Sequence, residues 1–147
     1  MEKFDKITLD NGLRIITVPK PDSLATTILV LVEAGSKYET KEINGVSHFL
    51  EHMCFKGTKK WPKSIDIASE LESIGAINNA FTSMEYTGYF AKAEPKHFDT
   101  ISEVVSDIYL NSIFDANEIE KEKGVIIEEI NYEEDKPIRK IWDYFLE

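Results

Sequence analysis

The stretch from Gly45 to Gly57, Gly-Val-Ser-His-Phe-Leu-Glu-His-Met-Cys-Phe-Lys-Gly, constrains this chain more than any other. At a helical period of about 3.6 residues, Val46, Phe49, Leu50, Met53 and Cys54 share one apolar face, which the spacing assigns to a core. His48 and His52 stand one turn apart on the opposite face, with Glu51 beside them. Asn44 and Ser47 are candidates to cap the start, and Gly57 is the residue type that commonly follows a helix end.

Two imidazoles one turn apart can hold Zn2+ at about 2.0 to 2.1 Å, and a nearby carboxylate that is not a ligand can take a proton from water the ion activates. The order His-x-x-Glu-His inverts the commoner His-Glu-x-x-His and yields the same constellation. The competing reading is a coincidental pair of surface or core histidines, so the motif needs a confirming context elsewhere in the chain. A closed structural zinc site is disfavoured, because the single cysteine, Cys54, lies on the apolar face.

The chain has 147 residues, enough for one domain that removes roughly 70% of its unfolded surface from water. A formal net charge of -10 argues against nucleic acid or an anionic membrane surface as the main partner. Much of that excess is local: Asp115 to Asp135 carries nine acidic and two basic residues, read mainly as a solvated helix face. No run of about 18 apolar residues is present, and the first residues have neither signal-peptide nor transit character. With one cysteine and no intramolecular disulfide, the expected location is the reducing cytoplasm.

In chain order, Ile7 to Leu9 and Leu13 to Val18 read as a hairpin around Asp10-Asn11-Gly12. Thr26 to Val32 is a third strand whose unbroken apolar run suggests a central position buried on both faces, anchoring the histidine helix that follows. The basic loop with Lys56, Lys59, Lys60 and Lys63 reads as solvated. Ser64 is a cap for a helix carrying Ile67, Ala68, Leu71 and Ile74, stopped by Gly75. Asn79 to Ser83 and Thr87 to Ala93 form a second hairpin. Pro95 opens a helix with Phe98, Ile101, Val104, Val105, Ile108 and Tyr109 as its apolar stripe, and His97 is expected to be exposed and not a ligand.

Asp115 to Glu134 is a further helix, capped by Asp115 or Asn117, with Glu122 and Glu129 two turns apart on one face. Its Val125, Ile126, Ile127 and Ile130 suggest burial, so a carboxylate on it needs a metal or a histidine as partner. Beyond Lys136-Pro137, the residues Ile138, Ile141, Trp142, Phe145 and Leu146 make an apolar stripe that ends with the sequence. The stripe suggests that this chain is the front part of a longer protein, and it is a surface on which two copies can pair.

Together these motifs resemble the pitrilysin-type zinc metallopeptidases, or inverzincins, the family of insulin-degrading enzyme and mitochondrial processing peptidase. The likeness runs from Asn11-Gly12-Leu13 through His48-Phe49-Leu50-Glu51-His52, Phe55-Lys56-Gly57-Thr58 and Asn79-Ala80-Phe81-Thr82-Ser83 to Glu128-Glu129. The resemblance implies an α+β fold, an antiparallel sheet with helices packed on one side. It implies that His48, His52 and Glu129 hold one Zn2+ per chain, that Glu51 is the catalytic base, and that Glu122 supports the site from behind. It further implies an endopeptidase for unfolded peptides, which add as a strand along Asn79, Ala80, Phe81 and Thr82, and a second half that this sequence does not contain, whether from the same polypeptide or a partner subunit. The alternative within the same family is a noncatalytic peptide-binding or assembly subunit.

Overall fold

The structure, a computed structural model, describes residues 3–137 and Ile141. Strands β1 (Asp5–Thr8) and β2 (Arg14–Thr17) pair antiparallel as the expected hairpin. The turn is closed by Leu9 N–H to the Leu13 carbonyl at 2.8 Å, while Asn11 Oδ1 accepts from Leu13 N at 3.1 Å. This hairpin forms its own two-stranded sheet, separate from the main one.

The main sheet contains β3 (Thr26–Val32), and the chain then passes through two 3-10 turns into α1 (Val46–Cys54) and α2 (Ser64–Ser73). Strands β4 (Ile77–Thr82) and β5 (Thr87–Ala93) follow as a hairpin, then α3 (Phe98–Leu110) and α4 (Ala116–Glu134). The order in the sheet is β3-β5-β4, antiparallel throughout, with Ala91 opposite Ile28 and Tyr89 opposite both Val30 and Ala80. The second hairpin begins at Ile77, two residues before the expected start, and Ser83 N–H to the Tyr86 carbonyl closes its turn at 2.9 Å.

The expected central position of β3 is corrected. Among the described residues β3 lies at a sheet edge, and β5 takes the middle because it pairs with its hairpin partner on one side and β3 on the other. Ile28, Val30 and Val32 are half-buried, whereas Leu29 and Leu31 are exposed. An all-apolar run cannot show by itself that only one of its faces is covered.

Helices cover that one face. Tyr89, Ala91 and Ala93 of β5 pack with Leu71 of α2 and with Ile101, Val104, Val105 and Ile108 of α3 in one core. Each fully buried leucine or isoleucine there contributes about 1.5–3 kcal/mol. The α+β architecture therefore holds, and the stripe of α3 is narrower than its sequence suggests, since Phe98 and Tyr109 at its ends are exposed.

Three further expectations change. The α1 face is buried only at its C-terminal end, through Met53 and Cys54, while Val46 and Leu50 are exposed. Helix α2 is not capped by Ser64; Asp66 Oδ2 accepts from Lys63 N at 3.0 Å instead. In α4, Val125, Ile127 and Ile130 are exposed, and the buried residue is Glu122. Asp115 caps α4, its Oδ1 accepting from Asn117 N at 2.9 Å and Glu118 N at 3.2 Å. Of the terminal stripe, Ile138, Trp142, Phe145 and Leu146 lie outside the described residues, and Ile141 is exposed. No helix among the described residues is long and apolar enough to cross a membrane.

Candidate metal centre

Helix α1 packs against both α4 and β4, which decides what faces its histidines. Its start is held by a residue outside the motif. Gly45 takes a left-handed conformation at φ 91, and no side chain of Asn44 or Ser47 caps the helix. Glu39 does so from the preceding turn, with Oε2 accepting from Gly45 N at 2.7 Å and Oε1 from Ser47 N at 2.8 Å. At the other end Gly57 has φ 144, and a Cβ there would meet the Pro62 carbonyl oxygen at 2.4 Å. Only glycine fits this turn.

Between these ends, His48 Nε2 and His52 Nε2 approach to 3.1 Å, with the rings edge to face at 88°. Glu129 on α4 brings Oε2 to 3.7 Å from His48 Nε2 and 3.5 Å from His52 Nε2. Four donors about 2.05 Å from a tetrahedral Zn2+ lie about 3.3 Å from one another. The three observed separations bracket that edge length, so two imidazoles and a carboxylate fit three corners of such a site. Neither His97 nor Cys54 belongs to the cluster. Cys54 is buried with its thiol toward the Tyr89 hydroxyl at 3.6 Å, and burial pushes both groups' pKa values up.

Behind His52 stands Glu122, 3% exposed. Its Oε1 lies 2.8 Å from His52 Nδ1, and its Oε2 lies 2.5 Å from Lys56 Nζ. Burial works against its charge, but the hydrogen bonds from Lys56 and His52, together with their charges, outweigh this and hold the carboxyl below its usual range. An ionised carboxylate only accepts, so His52 Nδ1 carries a proton, and in the neutral imidazole, the form that binds metal, Nε2 is the nitrogen left with a lone pair.

Glu51 meets the sheet. Thr82 Oγ1, on β4, donates to Glu51 Oε2 at 2.5 Å. Thr87 Oγ1 lies beside it, 3.4 Å from Thr82 Oγ1, and donates its own proton to the Ala34 carbonyl at 2.9 Å, which leaves the Thr82 proton to Glu51. Among the described residues, strand β4, with Asn79, Ala80, Phe81 and Thr82, is one edge of the main sheet, and β3 is the other. Ala80 N donates to Asn79 Oδ1 at 2.9 Å, and the Phe81 ring folds over Gly88, where a Cβ would meet it at 2.3 Å.

Three participants escaped the sequence reading. Glu39 carries no signal beyond its place a few residues before Gly45. Thr82 offers the sequence only a strand backbone. Lys56 has the sequence context of a solvated loop, and its one signal is that it continues the four-residue spacing of His48 and His52.

The chain matches the family model described as Insulinase (Peptidase family M16) over residues 14–146. It is 46% identical over 132 residues to a protein from Bacillus subtilis named uncharacterized zinc protease YmxG, a match covering 90% of this chain and 32% of that protein. To the mitochondrial-processing peptidase subunit beta of Bos taurus it is 44% identical over 137 residues, 92% of this chain and 27% of that one. In structure it is similar to a protease from Helicobacter pylori, with a TM-score of 0.90 at 28% identity over 96% of this chain and 34% of that one. The chain thus spans about a third of the length of the proteins it matches. From its matched length and its shared fold, this chain belongs to peptidase family M16, the insulinase family.

Proposed function

We propose that this chain carries the metal-binding and catalytic half of a zinc-dependent endopeptidase that hydrolyses unfolded peptides. The observation that carries this reading is the convergence of His48 Nε2, His52 Nε2 and Glu129 Oε2 at separations of 3.1 to 3.7 Å. These three residues are the ligands of one Zn2+. Zinc bound there supplies a Lewis acid that activates water and polarises the scissile carbonyl.

The other steps belong to the chain. Glu51, held by the Thr82 hydroxyl, takes the proton lost by the attacking water and delivers it to the leaving amine, serving as base and then acid. Glu122 fixes the tautomer of His52. Substrate adds to the free edge of β4 through main-chain hydrogen bonds at Asn79, Ala80, Phe81 and Thr82, a mode that reads backbone more than side chains. The Ala80 amide exchanges its Asn79 partner for a substrate carbonyl.

The named relatives support this reading, and the intact donor set favours it over the alternative of a noncatalytic subunit of the same fold. Since the chain spans about a third of those relatives, full turnover draws on a further half, from the same polypeptide or from a partner subunit that closes over the peptide. A homodimer is one form that partner can take. The cytoplasm remains the proposed location.

The test is hydrolysis of an unstructured peptide by the full protein that contains this sequence, with and without zinc. Zinc-dependent cleavage is expected, along with its loss when the backbone amides of the substrate are N-methylated at alternate positions. Cleavage that persists after complete metal removal would contradict the proposal.

A further inference from the structure

Glu122 is the most deeply buried charged residue described, and both its oxygens are taken. One faces His52 Nδ1 at 2.8 Å and the other faces Lys56 Nζ at 2.5 Å. We propose that Lys56 is a positioning residue of the metal centre, acting through Glu122 to fix His52 in the tautomer whose Nε2 is free to bind metal. The proposal rests on the metal-site reading above.

The chemistry follows from what each group can donate. A lysine ammonium has three N–H donors and no acceptor, so the group facing it must accept. A carboxylate has only acceptors, so its second oxygen also accepts, and the proton of His52 must sit on Nδ1. Lys56 therefore sets the polarity of a three-member chain that ends at the metal-facing nitrogen. Its place is fixed by the fold: it lies between the end of α1 and Gly57, whose turn is closed against the Pro62 carbonyl.

An amide in place of Glu122 exposes this dependence. In Glu122→Gln, Lys56 takes the amide oxygen and leaves the NH2 group facing His52 Nδ1. That nitrogen must then accept, the proton moves to Nε2, and the metal position is blocked. Removing Lys56 as well frees the amide to turn over, and the Nδ1–H tautomer returns. A pair that only stabilises the fold produces no such reversal.

The experiment uses the full protein that contains this sequence, as wild type, Lys56→Met, Lys56→Arg, Glu122→Gln and the Lys56→Met/Glu122→Gln double variant. Ring 15N shifts of His52 in metal-stripped protein report the tautomer, and calorimetric titration with zinc alone reports affinity. Expected are an Nδ1–H tautomer in wild type and in Lys56→Arg, and an Nε2–H tautomer in Glu122→Gln with affinity reduced about 10- to 100-fold. The double variant should move back toward wild type in both readouts. In Lys56→Met, the tautomer should be mixed and the affinity reduced. Glu122→Gln is nearly isosteric, so it and the double variant decide the matter should Lys56→Met not fold. An unmoved tautomer in Glu122→Gln, or a double variant no closer to wild type than Glu122→Gln, overturns the proposal. Wild-type protein that binds no zinc overturns the metal reading instead, and the tautomer measurement still judges Lys56.

Discussion

Thr82 Oγ1 donates to Glu51 Oε2 at 2.5 Å, joining the edge strand of the main sheet to the helix that carries both histidines. On the proposed function, a peptide laid along that edge is thereby held in register with the carboxylate proposed to handle the proton. Removing the donor as Thr82→Val should cut kcat/KM by about 10- to 100-fold, the scale of one hydrogen bond to a charged group. Zinc affinity should not change, and Thr82→Ser should restore most of the rate. Peptide hydrolysis and zinc titration on the same samples check both halves of this prediction; full activity in Thr82→Val would remove Thr82 from the account.

Glu51→Gln keeps the shape of the side chain and removes its capacity to take a proton. Zinc should still bind, since Glu51 is not one of the three converging donors. Hydrolysis by the full protein should fall by about 10^2- to 10^4-fold, the usual contribution of general acid–base catalysis. Loss of zinc from this variant would show that Glu51 has been given the wrong role.

Glu39 supplies the helix cap that the motif lacks, and its removal as Glu39→Ala should cost about 1 kcal/mol. For a domain of this size that is a drop of about 2–4 °C in Tm. Partial burial works against the Glu39 charge, but the N–H groups of Gly45 and Ser47 outweigh it and hold the carboxyl below its ordinary value. A lowered folded-state value means that the stabilisation is present above the unfolded pKa of about 4.3 and is lost as pH falls through the folded one. The gap in urea midpoint between wild type and Glu39→Gln should thus be steady near neutral pH and shrink below about pH 4. A gap that widens in acid would assign the stabilisation to another group.

The contrast between these residues shows what the sequence can carry. His48 and His52 are adjacent in space because one helix fixes them one turn apart, so spacing alone suffices. The β1–β2 hairpin is equally local, its turn written in Asp10-Asn11-Gly12. Glu129 is legible only through family resemblance, since the approach of α4 to α1 is a tertiary event with no local periodicity. Lys56 and Thr82 are harder still, because each meets a carboxylate distant in sequence and each has an ordinary local explanation, a loop cation and a strand threonine. The misjudged burial of β3 and α4 has one cause: an apolar run states what can be covered, whereas coverage depends on which elements arrive.

The most direct test of the central claim is calorimetric titration of the metal-stripped chain with zinc, wild type beside Glu129→Gln. One tight zinc per chain is expected, weakened at least about tenfold in the variant. Equal affinity in the two proteins would contradict the three-ligand centre, and folded wild-type protein that takes up no zinc would contradict the metal site altogether.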